Sequence, residues 1–451
     1  MIRPARWLLI AASCAFAQNA RLTLQQAVDA AAQNYPSIRV TQEQMNAAAA
    51  GIRLAQMAYL PRVDGLAQAN RATRNTYYGL LLPQGIIPGV DGVNANNFGT
   101  VWDSGMGVLV TWQPFDFGLR KANVATATSV RSHAEATMNR TRYDITVATA
   151  DAYLTVLAAQ QAAEAARASV ESWQILRRSV HAQVDAELRP GADESRVRSE
   201  LAQAQAQVAK AEQAIDVARA NLSEFVGTAS AMDLDTGKML DQLPPDALPP
   251  LNAGSHPASL EQTAAVAEQK ARLDALAHVN YPQFSVQGLA AARGTGLENN
   301  GERLGALNGL APTTENYGVG LTVTFPFMDR YAIREQQAAQ SANLRAAQAQ
   351  SQVIATKLEA QYNSAVASLA GARRVAVITP TEITSAQAAL DQATARYQSG
   401  LSTIDDVAQA QRLLVASRID DALARLSVWR ARLELDTARG DIQPFITEAS
   451  R

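Results

Sequence analysis

The chain has 451 residues, 47% of them hydrophobic, 18% charged and 6% aromatic. Length alone allows two or three ordinary domains, but much of the apolar fraction is alanine set among Gln, Arg, Glu and Asp, which suits long helices with narrow seams rather than a thick core. The formal net charge of −2 excludes the basic field that nucleic-acid binding needs.

Arg3 and Arg6 precede an apolar run, Trp7 to Phe16, that closes on Ala15-Phe16-Ala17. A charged start, a short apolar stretch and a small-x-small site read as a signal peptide over residues 1–17, with the mature chain starting near Gln18. Cys14, the only cysteine, lies inside it, so no disulfide is expected. A rival reading takes Ala11-Ala12-Ser13-Cys14 as a lipobox and Cys14 as a lipidated first residue. The short apolar stretch and the Ala at position 11 count against it. Beyond this segment no run of 18 apolar residues occurs, so no transmembrane helix is expected.

A first repeat then spans 18–227. It opens with an Ala/Gln-rich helical stretch, Leu22 to Ala58, and meets an aromatic-proline signal at Tyr59-Leu60-Pro61. A hairpin follows at about 61–115. Its entering strand, near Val63 to Ala69, is glycine-punctuated; its returning strand puts Trp102, Met106, Val108, Val110 and Trp112 on one face and Asp103, Gly105, Thr111 and Gln113 on the other. After Pro114-Phe115-Asp116-Phe117-Gly118, no Gly or Pro interrupts Leu119 to Arg189, which as one helix would run roughly 105 Å. A turn at 189–193, Arg189-Pro190-Gly191-Ala192-Asp193, reverses the chain. The next helix carries a heptad seam of Leu201, Ala204, Val208, Ala211, Ile215, Ala218, Leu222 and Phe225 and ends at Gly227.

A linker over 228–256 holds Pro244, Pro245, Pro249 and Pro250. The second repeat, 257–440, gives the same order again at an offset of roughly 210 residues. Ser259 to Val279 is helical and Tyr281-Pro282 repeats the aromatic-proline signal. A hairpin at about 283–326 enters near Phe284 to Ala290 and returns through Tyr317, Val319, Leu321, Val323 and Phe325, alternating with Gly318, Gly320, Thr322 and Thr324. The long helix after Pro326-Phe327-Met328-Asp329 contains Gly371 and Pro380, so a kink or break is expected near Thr379. A second turn, Ser399-Gly400-Leu401-Ser402-Thr403, precedes a helix with the seam Val415, Ile419, Ala422, Leu426, Trp429 and Leu433. Thr403 can cap that helix with Asp406 three residues on. Residues 441–451 form a tail.

Taken alone, the strand pattern fits an amphipathic hairpin in a soluble sandwich about as well as a membrane barrel. Four strands cannot span lipid with open edges, so membrane strands here require several chains to close one barrel. Trp102, Trp112, Tyr317 and Phe325 sit near strand ends, where an aromatic girdle would lie. No catalytic constellation is visible: His133, His181, His256 and His278 are far apart, and no HExxH, paired-cysteine or phosphate-loop motif occurs. No enzyme, cofactor or metal is expected.

LTLQQAVDAAAQNYPSIRVTQEQMNAAAAGIRLAQMAYLPRVDG, PFDFGLRKANVATA, VGLTVTFPFMDR and YQSGLSTIDDVAQAQRLLVASR, in this order, resemble the TolC family of outer-membrane efflux and secretion channels. ITPTEITSAQAALDQATARYQSG is similar to the branch that works with resistance-nodulation-division pumps. The resemblance implies a mainly α fold with a membrane β-hairpin pair. Each protomer would supply four strands and a long antiparallel coiled-coil pair, and a homotrimer would close a twelve-stranded β-barrel in outer-membrane lipid and a twelve-helix α-barrel in the periplasm. The Pro-rich linker would lie in an equatorial belt. A periplasmic membrane-fusion adaptor and an inner-membrane pump are the implied partners.

Carried onto this sequence, the resemblance puts Arg189, Pro190, Gly191, Ser399, Gly400, Leu401, Ser402 and Thr403 in the adaptor-contacting tip. Asp406 matches a tip aspartate at the narrowest point, with Asp405 beside it, and Tyr397 matches a tyrosine of the network that keeps the tip closed. Ser402 stands where that pattern often carries arginine. A ring of carboxylates would favour cations, while helix N-terminal acids stabilised by the macrodipole are the plainer account of the same residues. The competing functions are the outer-membrane component of type I protein secretion and a non-pore periplasmic coiled-coil protein.

Overall fold

The computed structural model describes residues 21–73, 100–187, 190–227, 233–296, 298 and 303–450. The signal segment, Cys14 and Arg189 lie outside the described residues. In chain order the elements are α1 (Leu24–Asn34), α2 (Pro36–Met57), β1 (Arg62–Thr73), β2 (Thr100–Phe115), α3 (Leu119–Asp185), α4 (Gly191–Val226), α5 (Pro257–Ala277), β3 (Gln283–Thr295), β4 (Thr314–Thr324), α6 (Asp329–Gln398), α7 (Ile404–Arg439) and α8 (Gln443–Ala449). The order helix, hairpin, long helix, turn, helix occurs twice. The two return helices α4 and α7 are each 36 residues and each stops at a left-handed glycine, Gly227 (φ 75°) and Gly440 (φ 82°).

Two expectations are corrected. The stretch Leu22–Ala58 is two helices, because Tyr35 precedes Pro36 and takes an extended conformation (φ −66°, ψ 127°) that ends α1. Of the kink or break expected near Thr379, the break does not occur: α6 runs through Pro380 as one helix of 70 residues. Tertiary packing overrides the proline here. Thr379 donates a buried 2.6 Å hydrogen bond to Asp421 on α7, and Ala365, Leu369 and Ala376 pack on Ala424, Val428, Ala431 and Leu435.

The chain divides into two compact units. The first comprises residues 1–42, 136–261 and 351–451. Its main core gathers Leu24, Val28, Tyr153, Leu157, Leu222, Leu234, Trp429, Leu433, Phe445 and Ile446. Leu22 pairs with Leu234 in a parallel bridge, and the fully buried Tyr153 hydroxyl lies 2.8 Å from the Leu22 carbonyl and 2.5 Å from that of Asp235. Over residues 242–252 the Pro-rich linker runs beside this core as irregular chain, before a 3-10 turn at Ala253–Ser255. Prolines cannot donate to a ladder, so the segment is held through its carbonyls, which accept from long side chains. Arg373 donates to Pro244 and Pro245, Trp429 to Gln242, Arg432 to Ala247 and Tyr362 to Pro249. Arg432 is 2% exposed and also pairs at 3.0 Å with the fully buried Asp436.

The second unit comprises residues 43–135 and 262–350. It holds one antiparallel sheet in the order β1-β2-β3-β4, with β1 and β4 at its edges. Register confirms the alternation: Gly65, Val108, Ala290 and Tyr317 share one row and one face, while Asp64, Leu109, Leu289 and Gly318 share the adjacent row on the other. The β2–β3 register shifts between Trp112 and Phe115, where Pro114 has no N–H to donate. On β4 the residues Tyr317, Val319 and Leu321 are 93%, 85% and 67% exposed. Where the strands meet the helices, Phe115, Phe117, Tyr281 and Phe284 cluster at centroid distances of 4.6 to 6.3 Å, Phe117 stacked on Tyr281 and edge-on to Phe115. Arg120 ties this junction, pairing with Asp116 at 2.9 Å and lying 4.7 Å over the Tyr59 ring.

Arg432→Ala leaves the Ala247 carbonyl without its donor and Asp436 with Arg439, at 3.0 Å, as its remaining cation, so it is expected to destabilise the first unit by about 1–3 kcal/mol. A drop in the thermal midpoint smaller than that of Arg430→Ala, a half-exposed pair to Asp151, would count against the linker being held this way.

Candidate functional site

Two helical turns of the first unit lie close together and carry most of the site residues expected from sequence. At the second turn α6 ends in a left-handed glycine, Gly400 (φ 76°). The Gly400 N–H donates to Tyr397 O and the Leu401 N–H to Arg396 O, the paired bonds of a Schellman motif. Leu401 projects 72% exposed from its apex, while the Ser402 hydroxyl turns back to Ala393 O at 3.4 Å. Thr403 is the N-cap of α7, and its N–H and hydroxyl both donate to Asp406 Oδ2, at 3.0 and 3.1 Å. The expected capping by Asp406 is therefore present.

The first turn is built differently. Glu187, a non-glycine residue, takes the left-handed conformation (φ 58°), Pro190 is the N-cap of α4 and Gly191 is its first residue. Asp193 and Glu194 fill the first helical turn, where the helix dipole favours them.

Tyr397 joins the two turns. It is 2% exposed, packed with Trp173, Val180, Val197, Leu201, Ile404, Val407 and Ala408, and its hydroxyl donates to Asp193 Oδ2 at 2.9 Å. Asp193 and Asp406 occupy the same third position of their helices yet work differently. Asp193 receives a hydroxyl from another helix, whereas Asp406 caps its own.

Asp405 faces α4, where Arg196 Nε meets its carboxylate at 2.9 Å. Arg196 also reaches Glu200 at 3.4 Å, and Arg412 on α7 reaches the same Glu200 oxygen at 2.7 Å. Glu200 is 4% exposed, so these arginines are what allow a charged carboxylate there. His181 lies between Asp185 (3.4 Å) and Glu194 (3.3 Å). Desolvation pushes the Glu194 carboxyl upward, but hydrogen bonds from Arg198 and His181 outweigh it and hold that group below the usual carboxylate range.

The structure thus brings together Tyr397, Asp405, Asp406, Pro190, Gly191 and the second turn. Sequence reasoning missed Asp193, Arg196, Glu200 and Arg412 as partners. The i, i+4 spacing of Arg196 and Glu200 inside a seam otherwise made of Val197, Leu201 and Ala204 was the available signal. The four aromatic candidates lie in the second unit and are not adjacent to one another. Trp102 sits beneath Arg71 at 5.5 Å, Trp112 donates to Tyr59 O at 3.1 Å, Phe325 stacks on Phe327 at 5.6 Å, and Tyr317 is opposite Ala290. Among the described residues no group of His, Cys, Asp or Glu is arranged to hold a metal ion, and no helix is long and apolar enough to cross a membrane.

Tyr397→Phe removes one hydroxyl and keeps the packing. It is expected to cost about 1.5–3 kcal/mol, the range for a hydrogen bond to a charged group. The effect should be seen as faster hydrogen exchange around Asp193 and Val197; unchanged exchange there would mean the bond does not hold the turns together.

The sequence model of the outer membrane efflux protein family matches residues 27–228 and 252–441. The cobalt-zinc-cadmium resistance protein CzcC of Cupriavidus metallidurans is 28% identical over 312 residues, covering 67% of this chain and 69% of CzcC. Among solved structures, CusC superposes with a TM-score of 0.76 at 15% identity, covering 93% of this chain and 92% of CusC. The CmeC outer membrane channel of Campylobacter jejuni superposes with a TM-score of 0.72 at 16% identity, covering 95% and 89%. At such identities the likeness speaks to fold, which it places among channels with the same mostly helical build and small antiparallel sheet. With both repeats matched in order, this chain belongs to the outer membrane efflux protein family, whose members are passive exit ducts and not enzymes.

Proposed function

We propose that three copies of this chain close a twelve-stranded barrel in the outer membrane and a twelve-helix tunnel in the periplasm, through which substrates leave a tripartite efflux system. The observation that carries this reading is the sheet: four strands, two open edges, and an apolar face left bare at Tyr317, Val319 and Leu321. In lipid every backbone donor and acceptor needs a partner, so such a sheet persists only when neighbouring copies pair with both edges. Trp102, Trp112, Tyr317 and Phe325 then belong to aromatic girdles contacting lipid headgroups.

The two turns form the periplasmic tip. Pro190, Gly191, Ser399, Gly400, Leu401, Ser402 and Thr403, with Arg189, make the contact surface for a membrane-fusion adaptor. The exposed Leu401 supplies an apolar anchor. The pump is of the resistance-nodulation-division type, supported by the resemblance of the segment around Pro380. Tyr397 helps hold the tip closed, and Asp405 and Asp406 lie at the constriction, where threefold repetition makes a carboxylate ring. Kinship with CzcC favours divalent metal cations as cargo, and a carboxylate ring matches them in sign.

Purified protein in planar bilayers is expected to conduct with cation preference, and Asp406→Ala to reduce that preference. Absence of conductance would sink the channel reading, and conductance indifferent to Asp406→Ala would sink the carboxylate ring.

A further inference from the structure

We propose that Arg196 sets the charge of the constriction by neutralising Asp405, leaving Asp406 as the one carboxylate per chain that selects for cations. This rests on the reading that places both aspartates at the constriction. It adds that the two adjacent acids are not equivalent, and it identifies the residue that makes them different.

Neighbouring residues on a helix point about 100° apart, as 3.6 residues per turn require. Asp405 and Asp406 therefore meet different surroundings. Asp406 accepts from the N–H and hydroxyl of Thr403. Both donors are neutral, so the full negative charge remains, and among the described residues Asp406 pairs with no cation. Asp405 instead meets the Arg196 guanidinium at 2.9 Å.

Arg196 is held in place by what lies behind it. Glu200 is almost wholly buried, and a buried carboxylate demands cationic partners. Arg412 supplies one at 2.7 Å from α7, and Arg196, one helical turn before Glu200, supplies the other at 3.4 Å through Nη2. A guanidinium presents several donors in a fixed fork, so anchoring Nη2 on Glu200 leaves Nε directed at Asp405. The four charges Glu200, Arg412, Arg196 and Asp405 cancel, two against two. With Arg196 and Asp405 half-exposed or more, their pairing energy is small. What matters is the position of a fixed positive charge beside the lumen carboxylates, within a Debye length of about 10 Å at 0.1 M salt.

The test is the cation-to-anion permeability ratio, from reversal potentials under a salt gradient near 0.1 M, for the full-length protein in planar bilayers. Arg196→Gln frees Asp405 and should raise the ratio at least about twofold, as uncompensated carboxylates per chain go from one to two. Arg196→Lys keeps the charge and should stay near the wild-type ratio. Asp405→Asn leaves Arg196 unopposed and should lower the ratio. Arg196→Gln combined with Asp405→Asn should move it back toward the starting value, a charge-additive pattern that a merely structural arginine would not produce.

If Arg196→Gln fails to assemble, Asp405→Asn carries the test by itself, and a ratio that does not fall overturns the proposal. If Asp406→Ala lowers the ratio while Arg196→Gln leaves it unchanged, this inference fails and the constriction reading stands. If the wild type conducts and neither Asp406→Ala nor Asp405→Asn alters the ratio, the constriction reading itself fails.

Discussion

A β-sheet with two open edges is the constraint on which the account turns. Each edge strand presents a row of unpaired N–H and C=O groups, and each such group costs several kcal/mol in hydrocarbon. The β1-β2-β3-β4 sheet has two such edges, and its apolar face puts Tyr317, Val319 and Leu321 on the surface of a single chain. Burying side chains of this size is worth about 1.5–3 kcal/mol each. A single chain cannot meet both demands in lipid. Repetition of the chain around an axis meets them together, which is why the proposed function begins with the sheet and why the helices that follow the strands are expected to close in the same symmetry.

Polar groups, as much as apolar ones, organise the helical unit. The linker between the repeats has four prolines and, among its described residues, no ladder, and Arg373, Arg432, Tyr362 and Trp429 donate to its carbonyls. Asp421 and Ser417 take seam positions on α7, matched by Thr379 and Glu382 on α6. Glu200 does the same on α4 with two arginines. In each case a group that would be costly to bury alone is buried with its partners, which specifies the register of long alanine-rich helices whose apolar contacts alone would tolerate sliding.

Much of the fold was legible in the sequence. The duplicated order, both hairpins, the alternation on β2 and β4, and the capping glycines Gly227 and Gly440 all follow from local rules of period and turn chemistry. Three features escaped those rules. Pro36 split the first helix through a constraint on Tyr35, which an apolar count does not register. Pro380 was accommodated because packing against α7 outweighs one lost backbone bond. The seam of α7 runs through Leu414, Ser417, Asp421 and Ala424 before reaching Leu426, Trp429 and Leu433. Val415, Ile419 and Ala422 are only half-buried there; Ser417 and Asp421 are polar, so a search for apolar heptads passes over the true seam positions. At the tip, Thr403 and Asp406 were readable as a cap because capping is local. The Tyr397–Asp193 and Arg196–Asp405 pairs join residues roughly 200 positions apart, and no local pattern announces them.

Pairing of β1 with β4 of a neighbouring copy is the central claim, and cysteine cross-linking in intact outer membranes tests it most directly. Leu66→Cys on β1 is combined in turn with single cysteines replacing Asn316, Gly318 and Gly320 on β4, all on the same face of the sheet. The account predicts that one of these pairs oxidises to a covalent ladder ending at three chains. Failure of every pair to link chains, in protein that is folded and in the outer membrane, would contradict it.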